Sequence, residues 1–438
     1  MPRLSRRAFV AAAAGAALGA GDRIRVAVAG VRSRGWRHVE CFHQLAAEGV
    51  EVAALCDVDE NVLRKRAAEY QALSGRRVKT HVDFRRILDD PAIDVVALAT
   101  PNHWHALGAV WACQAGKDVY LEKPASHTVW EGRKLIEAAH KYRRIVQHGT
   151  QARSNPVMQE GVARLREGII GGVYTARGIC FKWRESIGTL REEPVPAGVH
   201  YDLWTGPAPA RPFARQRFHY LWHFLWDYGN GEIGNQGVHQ LDIMRWGLGL
   251  AAHPNRVQSA GGCYVHRDSQ ETPNVQAAAF QYENRELLLQ FEVRPWMTNC
   301  EAGIGDLYSS RGAGNVVGVI FYGSDGYMVM PGYTSYYTFL GRARKPGPKG
   351  EWPGDPAANL DHFRNFIRAV RSRRSSDLTA PIEEGHLSSA LSHLANIAYR
   401  TGRSLAFDPR TETFTGDDEA NRMLRRAYRA PFIVPEKA

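Results

Sequence analysis

Ile24-Arg25-Val26-Ala27-Val28-Ala29-Gly30-Val31-Arg32-Ser33-Arg34-Gly35 is the stretch that decides the fold. A short apolar run ends in a glycine, and a second glycine follows five residues later, where a helical pattern opens. Such a loop after the first strand of a βαβ unit holds a dinucleotide pyrophosphate with its amides and the helix dipole. The middle glycine of a G-x-G-x-x-G pattern is replaced by Arg32. Arg32, Ser33 and Arg34 are placed to meet phosphate, or to stand outward in solvent.

Outward from this stretch, apolar runs recur at Val52–Cys56, Val95–Ala99, Val119–Leu121 and Ile145–Val146. Between them Trp36–Ala47, Val62–Leu73, Ala106–Ala115 and Val129–Tyr142 have helical length and composition. Nearly uninterrupted apolar strands alternating with helices imply a doubly wound parallel sheet, a Rossmann α/β domain over residues 21–150. Beyond residue 150 the runs Val173–Trp183, Arg256–Val265, Val275–Tyr282, Leu287–Val293 and Val316–Tyr322 are longer and richer in aromatic and β-branched residues. They predict an α+β second domain, 151–438, around a large, mostly antiparallel sheet. Helices are expected near Asn359–Arg371 and Gly385–Thr401, packing back on the first domain, and the Gly/Pro-rich Lys345–Pro356 reads as a surface loop.

A composition of 44% hydrophobic and 23% charged residues suits a water-soluble globular chain, and no apolar run is long enough to span a bilayer. Residues 1–20 differ: Arg6-Arg7 and Phe9 precede an Ala/Gly run with no acid before Asp22. This resembles a twin-arginine export signal, so a periplasmic or otherwise exported location is expected. The net charge of +11 includes Arg3, Arg6 and Arg7 of that segment; the remaining basic clusters read as solvated surface rather than a nucleic-acid site. Six dispersed cysteines give no zinc spacing, and the histidines and acids show no H-E-x-x-H, so no metal is expected.

The second run ends in Cys56-Asp57-Val58-Asp59. An acid here accepts from an adenosine ribose and repels a 2′-phosphate, favouring NAD over NADP. Asp57 fits that role, while Asp59 also fits a helix N-cap. At the ends of two later runs stand Thr100-Pro101-Asn102-His103-Trp104-His105 and Glu122-Lys123-Pro124. A lysine just past a buried strand can polarise an alcohol oxygen.

Together with Gly231-Glu232-Ile233-Gly234-Asn235-Gln236-Gly237-Val238-His239-Gln240-Leu241-Asp242, these motifs resemble the glucose–fructose oxidoreductase / inositol dehydrogenase family. The resemblance runs over residues 23–438. It implies an NAD(P)-dependent oxidoreductase acting on CH–OH donors, with Lys123 and His239 catalytic. The cofactor would be held by Gly30, Arg32, Ser33, Arg34, Gly35, Asp57, Thr100, Pro101, Asn102, His105 and Glu122. Many relatives carry Asp where this chain has Asn235, which removes a charge beside the histidine. The open second sheet implies a homo-oligomer.

The Tyr201–Trp246 segment supplies rings and polar groups suited to a carbohydrate, although about half of its rings are expected to plug the core. His219, Tyr220, Trp222, His223 and Asp227 are the substrate-side candidates, joined by Asn235 and, on the first strand of the second domain, Lys182 and Arg184. The leading expectation is oxidation of a sugar or polyol hydroxyl with a tightly held, recycled NAD. Two others stand beside it: an NAD-dependent glycosidase or lyase working by transient oxidation and elimination, and a non-catalytic sugar-binding relative.

Overall fold

The computed structural model describes residues 23–298, 301–302, 315–355 and 359–437. The export-signal segment and Cys300 therefore lie outside the described residues.

Six strands form the first sheet: β1 (Ile24–Ala29), β2 (Val50–Cys56), β3 (Lys79–His81), β4 (Val95–Leu98), β5 (Asp118–Leu121) and β6 (Val146–His148). All neighbours pair in parallel, in the order β3-β2-β1-β4-β5-β6. The order reverses between β1 and β4, which opens a crevice at their carboxyl ends. Val26 to Ala29 are all buried because helices cover both faces, as uninterrupted apolar strands require. One face packs on Phe42 of the helix Arg34–Gln44 and on Phe363, Phe366 and Ile367 of the helix Leu360–Ser372, which returns from the far end of the chain. Tyr120 of β5 stacks on Phe363 with ring centroids 4.5 Å apart. Asp59 caps the helix Glu60–Ser74, accepting from the Asn61 and Val62 amides. The short strand β3 was not anticipated, since Lys79 and Thr80 are exposed and carry no apolar signal.

The second sheet has ten strands: β7 (Val173–Lys182), β8 (Arg256–Gly262), β9 (Val275–Tyr282), β10 (Leu287–Arg294), β11 (Asn315–Gly323), β12 (Gly326–Pro331), β13 (Ser335–Leu340), β14 (Lys345–Glu351), β15 (Leu405–Asp408) and β16 (Thr413–Phe414). Their order is β14-β13-β12-β11-β7-β10-β9-β8-β15-β16, with β7 and β10 parallel and the other neighbours antiparallel. One face is covered by the helices Gly237–Leu248 and Ile382–Thr401, whose Leu241, Met244, Leu391 and Leu394 meet Phe280, Phe291 and Phe321. Lys345–Glu351 corrects the loop expected there. As an edge strand it pairs on one side only, so it tolerates Pro346 and Pro348 and two lysines that a central strand would not. Among the described residues no helix is long and apolar enough to cross a membrane.

Candidate active site

A cavity of about 470 Å³ opens at the β1–β4 switch point and runs to the second sheet. Its floor at one end is the Gly30 loop. Gly30 has φ +81°, and a Cβ there would stand 2.5 Å from the Ala99 carbonyl oxygen. At Gly35 a Cβ would stand 2.2 Å from the Gly30 oxygen. The two glycines let the loop fold against β4 and the helix Arg34–Gln44 begin at once, and no side chain caps that helix's first turn. Asp57 braces the loop: Oδ2 accepts from the Val31 amide at 2.9 Å and Oδ1 from the Asp59 amide at 3.1 Å. Burial raises its carboxyl to about 6, against the pull of those two amides. The Thr100 hydroxyl, at the mouth of β4, is buried with no hydrogen-bond partner. A glycine cradle, an uncapped helix start and an unpaired hydroxyl together fit a dinucleotide.

Glu122 and Lys123 follow β5 into the cavity. Burial opposes ionisation of Glu122. Arg34 at 2.6 Å and His38 at 3.0 Å more than offset it, holding the carboxyl well below the usual range. The guanidinium of Arg34 is thus drawn to Glu122 while it still lines the cavity beside the Gly30 loop. Arg32, by contrast, is exposed at the cavity rim. Lys123 Nζ donates to the Asn235 carbonyl at 2.5 Å and to Asn235 Oδ1 at 3.4 Å. Burial lowers its ammonium to about 8, with Glu122 opposing.

Asn235 ends a one-turn helix, Gly231–Asn235, and the chain resumes helix at Gly237 after Gln236. This break turns Asn235, Gln236 and His239 toward the cavity. Burial and then the Lys123 cation hold His239 far below its ordinary value, so its imidazole is neutral. Neither of its ring nitrogens has a hydrogen-bond partner among the described residues, while its ring lies 5.3 Å from that of Tyr333.

Pro101, Asn102, His105, Lys182, His219, Tyr220, Trp222 and His223 line the same cavity, with Ser33 at its rim. Burial lowers His219 to about 4 and His223 to about 3. Three expected residues do not line it, and one of them is Gly35, buried where the helix begins. Arg184 is committed to Glu232 through two hydrogen bonds of 3.1 and 2.8 Å, and Asp227 pairs outward with Arg211 at 2.8 Å. Trp204 and Tyr228 belong to the aromatic cluster with Phe213 and Phe218, which plugs the core as expected of part of that segment, while Trp204 and Phe218 also line the cavity. Gln236, Tyr333, Trp104 and Gln151 line the cavity unanticipated. Gln236 was legible beside Asn235, whereas Tyr333 arrives from the Pro331-Gly332 turn of the second sheet, a local signal that does not say which site the turn reaches.

Away from the cavity, Nε2 of His253 and of His386 lie 3.0 and 2.9 Å from Glu412 Oε1. Arg133 shares that carboxylate. The guanidinium satisfies the charge a cation would need, so the cluster reads as a tie between the helix Ile382–Thr401 and the β15–β16 hairpin.

The fold and cavity define a two-domain protein in which a dinucleotide-binding Rossmann unit presents its switch point to a substrate-side sheet. Residues 24–150 match the "Oxidoreductase family, NAD-binding Rossmann fold" (GFO_IDH_MocA), and residues 168–282 and 352–434 match that family's C-terminal alpha/beta domain. The chain belongs to this oxidoreductase family. It is 32% identical over 167 residues to the uncharacterized oxidoreductase ORF334 of Rhizobium meliloti, covering 38% of this chain and 48% of that one. It is 35% identical over 125 residues to a glycosyl hydrolase family 109 protein of Shewanella sp. strain W3-18-1, covering 27% of each. The chain thus spans about half or less of the length of these relatives. Levoglucosan dehydrogenase, solved with NADH and levoglucosan, shares the fold with a TM-score of 0.65 at 16% identity, covering 88% of this chain and 99% of that one. The WlbA dehydrogenase of Chromobacterium violaceum, solved with NADH and UDP-GlcNAcA, gives 0.63 at 18%, covering 88% and 96%.

Proposed function

We propose that this protein oxidises, or reversibly reduces, a hydroxyl of a sugar or sugar-like alcohol, with NAD as the nicotinamide cofactor. The observation that carries the reading is the pairing of a cationic Lys123 with a neutral, unbonded His239 in one cavity. A substrate hydroxyl between them gives its proton to the imidazole. The Lys123 ammonium, steadied by Asn235, donates to the oxygen as charge develops on it. The cofactor, held by the Gly30–Gly35 loop, Asp57 and Thr100, supplies the hydride acceptor. Asp57 supports NAD over NADP, because a carboxylate beside the loop repels a 2′-phosphate. The export signal expected in residues 1–20 supports a cofactor retained between turnovers.

The assay is reduced-nicotinamide absorbance during incubation with a panel of hexoses, polyols and anhydrosugars. Growth of that signal with at least one of them, and its loss in Lys123→Met and His239→Asn, is the expected outcome. A panel inert with both NAD and NADP contradicts it.

A second reading is favoured by the family 109 relatives: redox-neutral elimination of a glycosidic substituent. Here His239 would draw a proton from carbon beside a carbonyl polarised by Lys123. Release of nitrophenol from nitrophenyl glycosides without net reduced cofactor identifies it.

A further inference from the structure

The charges around the substrate end of the cavity are unevenly matched. Glu232 is the buried carboxylate there, and Arg184 engages both of its oxygens. Lys123 and Lys182 remain, and among the described residues neither ammonium forms an ion pair. Each is instead held by the same turn of chain: Lys123 by the carbonyl and side chain of Asn235, Lys182 by the side-chain oxygen of Gln236. Lys182 is not a loosely placed surface lysine. It closes β7, paired to Asn315 of β11, and Gln236 is itself fixed by Tyr333. An ammonium has three donors, and Gln236 takes one from Lys182. At the other end of the cavity the charges are met: Arg34 answers Glu122, and Asp57 takes two backbone amides.

Glu122 and Glu232 offset these charges in part from a distance, but a neutral hydroxylated ligand would leave both lysines without an ion-pair partner among the described residues, in a half-enclosed cavity where an unpaired charge costs more than in water. A carboxylate removes that cost and gains charge-assisted hydrogen bonds. A planar carboxylate also suits one ammonium beside an amide, where phosphate sites favour several cations or a guanidinium fork.

We propose that the substrate is a sugar acid, with its carboxylate bound by Lys182 beside Gln236 and its reacting hydroxyl between Lys123 and His239. The proposal rests on the oxidoreductase reading above and deepens it.

Calorimetric titration of the NAD-loaded full chain with D-glucuronate and D-galacturonate, each against its parent hexose, tests it. At least one uronate is expected to bind about tenfold or more tightly than its hexose, the scale of one charge-assisted bond. Lys182→Met should abolish that preference and Lys182→Arg retain most of it, while NAD titration of both variants shows that they remain folded. A panel in which no uronate outbinds its hexose overturns the proposal, as does a preference that survives Lys182→Met. A hexose 6-phosphate that outbinds every uronate also overturns it. Failure of the oxidoreductase reading shows separately, as failure to bind NAD or NADP in the loading step.

Discussion

The two ends of the cavity are built differently. At the cofactor end the surface is main chain, folded tightly by Gly30 and Gly35, and its charges are answered within the protein: Arg34 by Glu122, Asp57 by two amides. At the substrate end the surface is side chain, drawn from β7, the broken helix at Gln236 and the aromatic segment, and among the described residues two lysines form no ion pair. At the first end the carboxylates are answered before a ligand arrives, and the uncapped helix start and the Thr100 hydroxyl are what is left for one. The second carries charge that a ligand must answer, which is how an active site trades stability for chemistry.

Substitutions should expose this contrast, and the largest effect is expected at Lys123. Lys123→Met should lower kcat about 10²–10³-fold, the loss typical of a missing oxyanion donor, as steady-state kinetics would show. The same change should raise stability near pH 7 by about 1–2 kcal/mol in chemical denaturation, because a desolvated ammonium is removed. The sign follows from the depressed lysine. Below about 8 both folded and unfolded states hold the proton and the burial cost is fully present; between about 8 and 10.5 only the unfolded state holds it. Wild type should therefore gain on the variant as pH rises through that window. A variant less stable than wild type at pH 7 would break the comparison.

Arg34→Met belongs to the other end and should do the opposite. It leaves the buried Glu122 with His38, Gln151 and the Lys123 amide but without its ion-pair partner Arg34, at a cost of about 3 kcal/mol in the same denaturation assay. Gly30→Ala should cost about 1–3 kcal/mol and most of the NAD affinity, because the loop must leave its left-handed backbone and its contact with Ala99. The smallest effect is in pH. NAD affinity should weaken modestly as pH falls below about 6, where Asp57 takes up a proton and loses the charge that favours a ribose hydroxyl. Affinity independent of pH in that range would remove Asp57 from the cofactor contact.

The same contrast decides what the sequence could disclose. Strand β1, the paired glycines and Glu122-Lys123 are local signals, since an apolar run, a turn and the residues past a strand are contiguous. The helix Leu360–Ser372 shows its apolar face in sequence, but not that it completes the first domain's core. His239 and Asn235 were legible through the motif that surrounds them. Tyr333 was not, because it reaches His239 and Gln236 only through the pairing of β11 with β12 and β7. Arg184 and Asp227 looked like site residues by type and position. Their partners, Glu232 and Arg211, lie 48 and 16 residues away along the chain, and those pairings accompany their absence from the cavity lining. Ion pairing across the fold is what composition and spacing leave open.

The most direct test of the account is whether the protein holds a nicotinamide dinucleotide. Purified under native conditions, it would be denatured and the released cofactor identified by absorbance and mass, and any empty protein would be titrated with NAD and NADP. The account predicts NAD, either released in stoichiometric amount or bound on titration, with affinity lost in Gly30→Ala. A protein that releases neither cofactor and binds neither contradicts the assignment of the cavity, and with it the roles of Lys123 and His239.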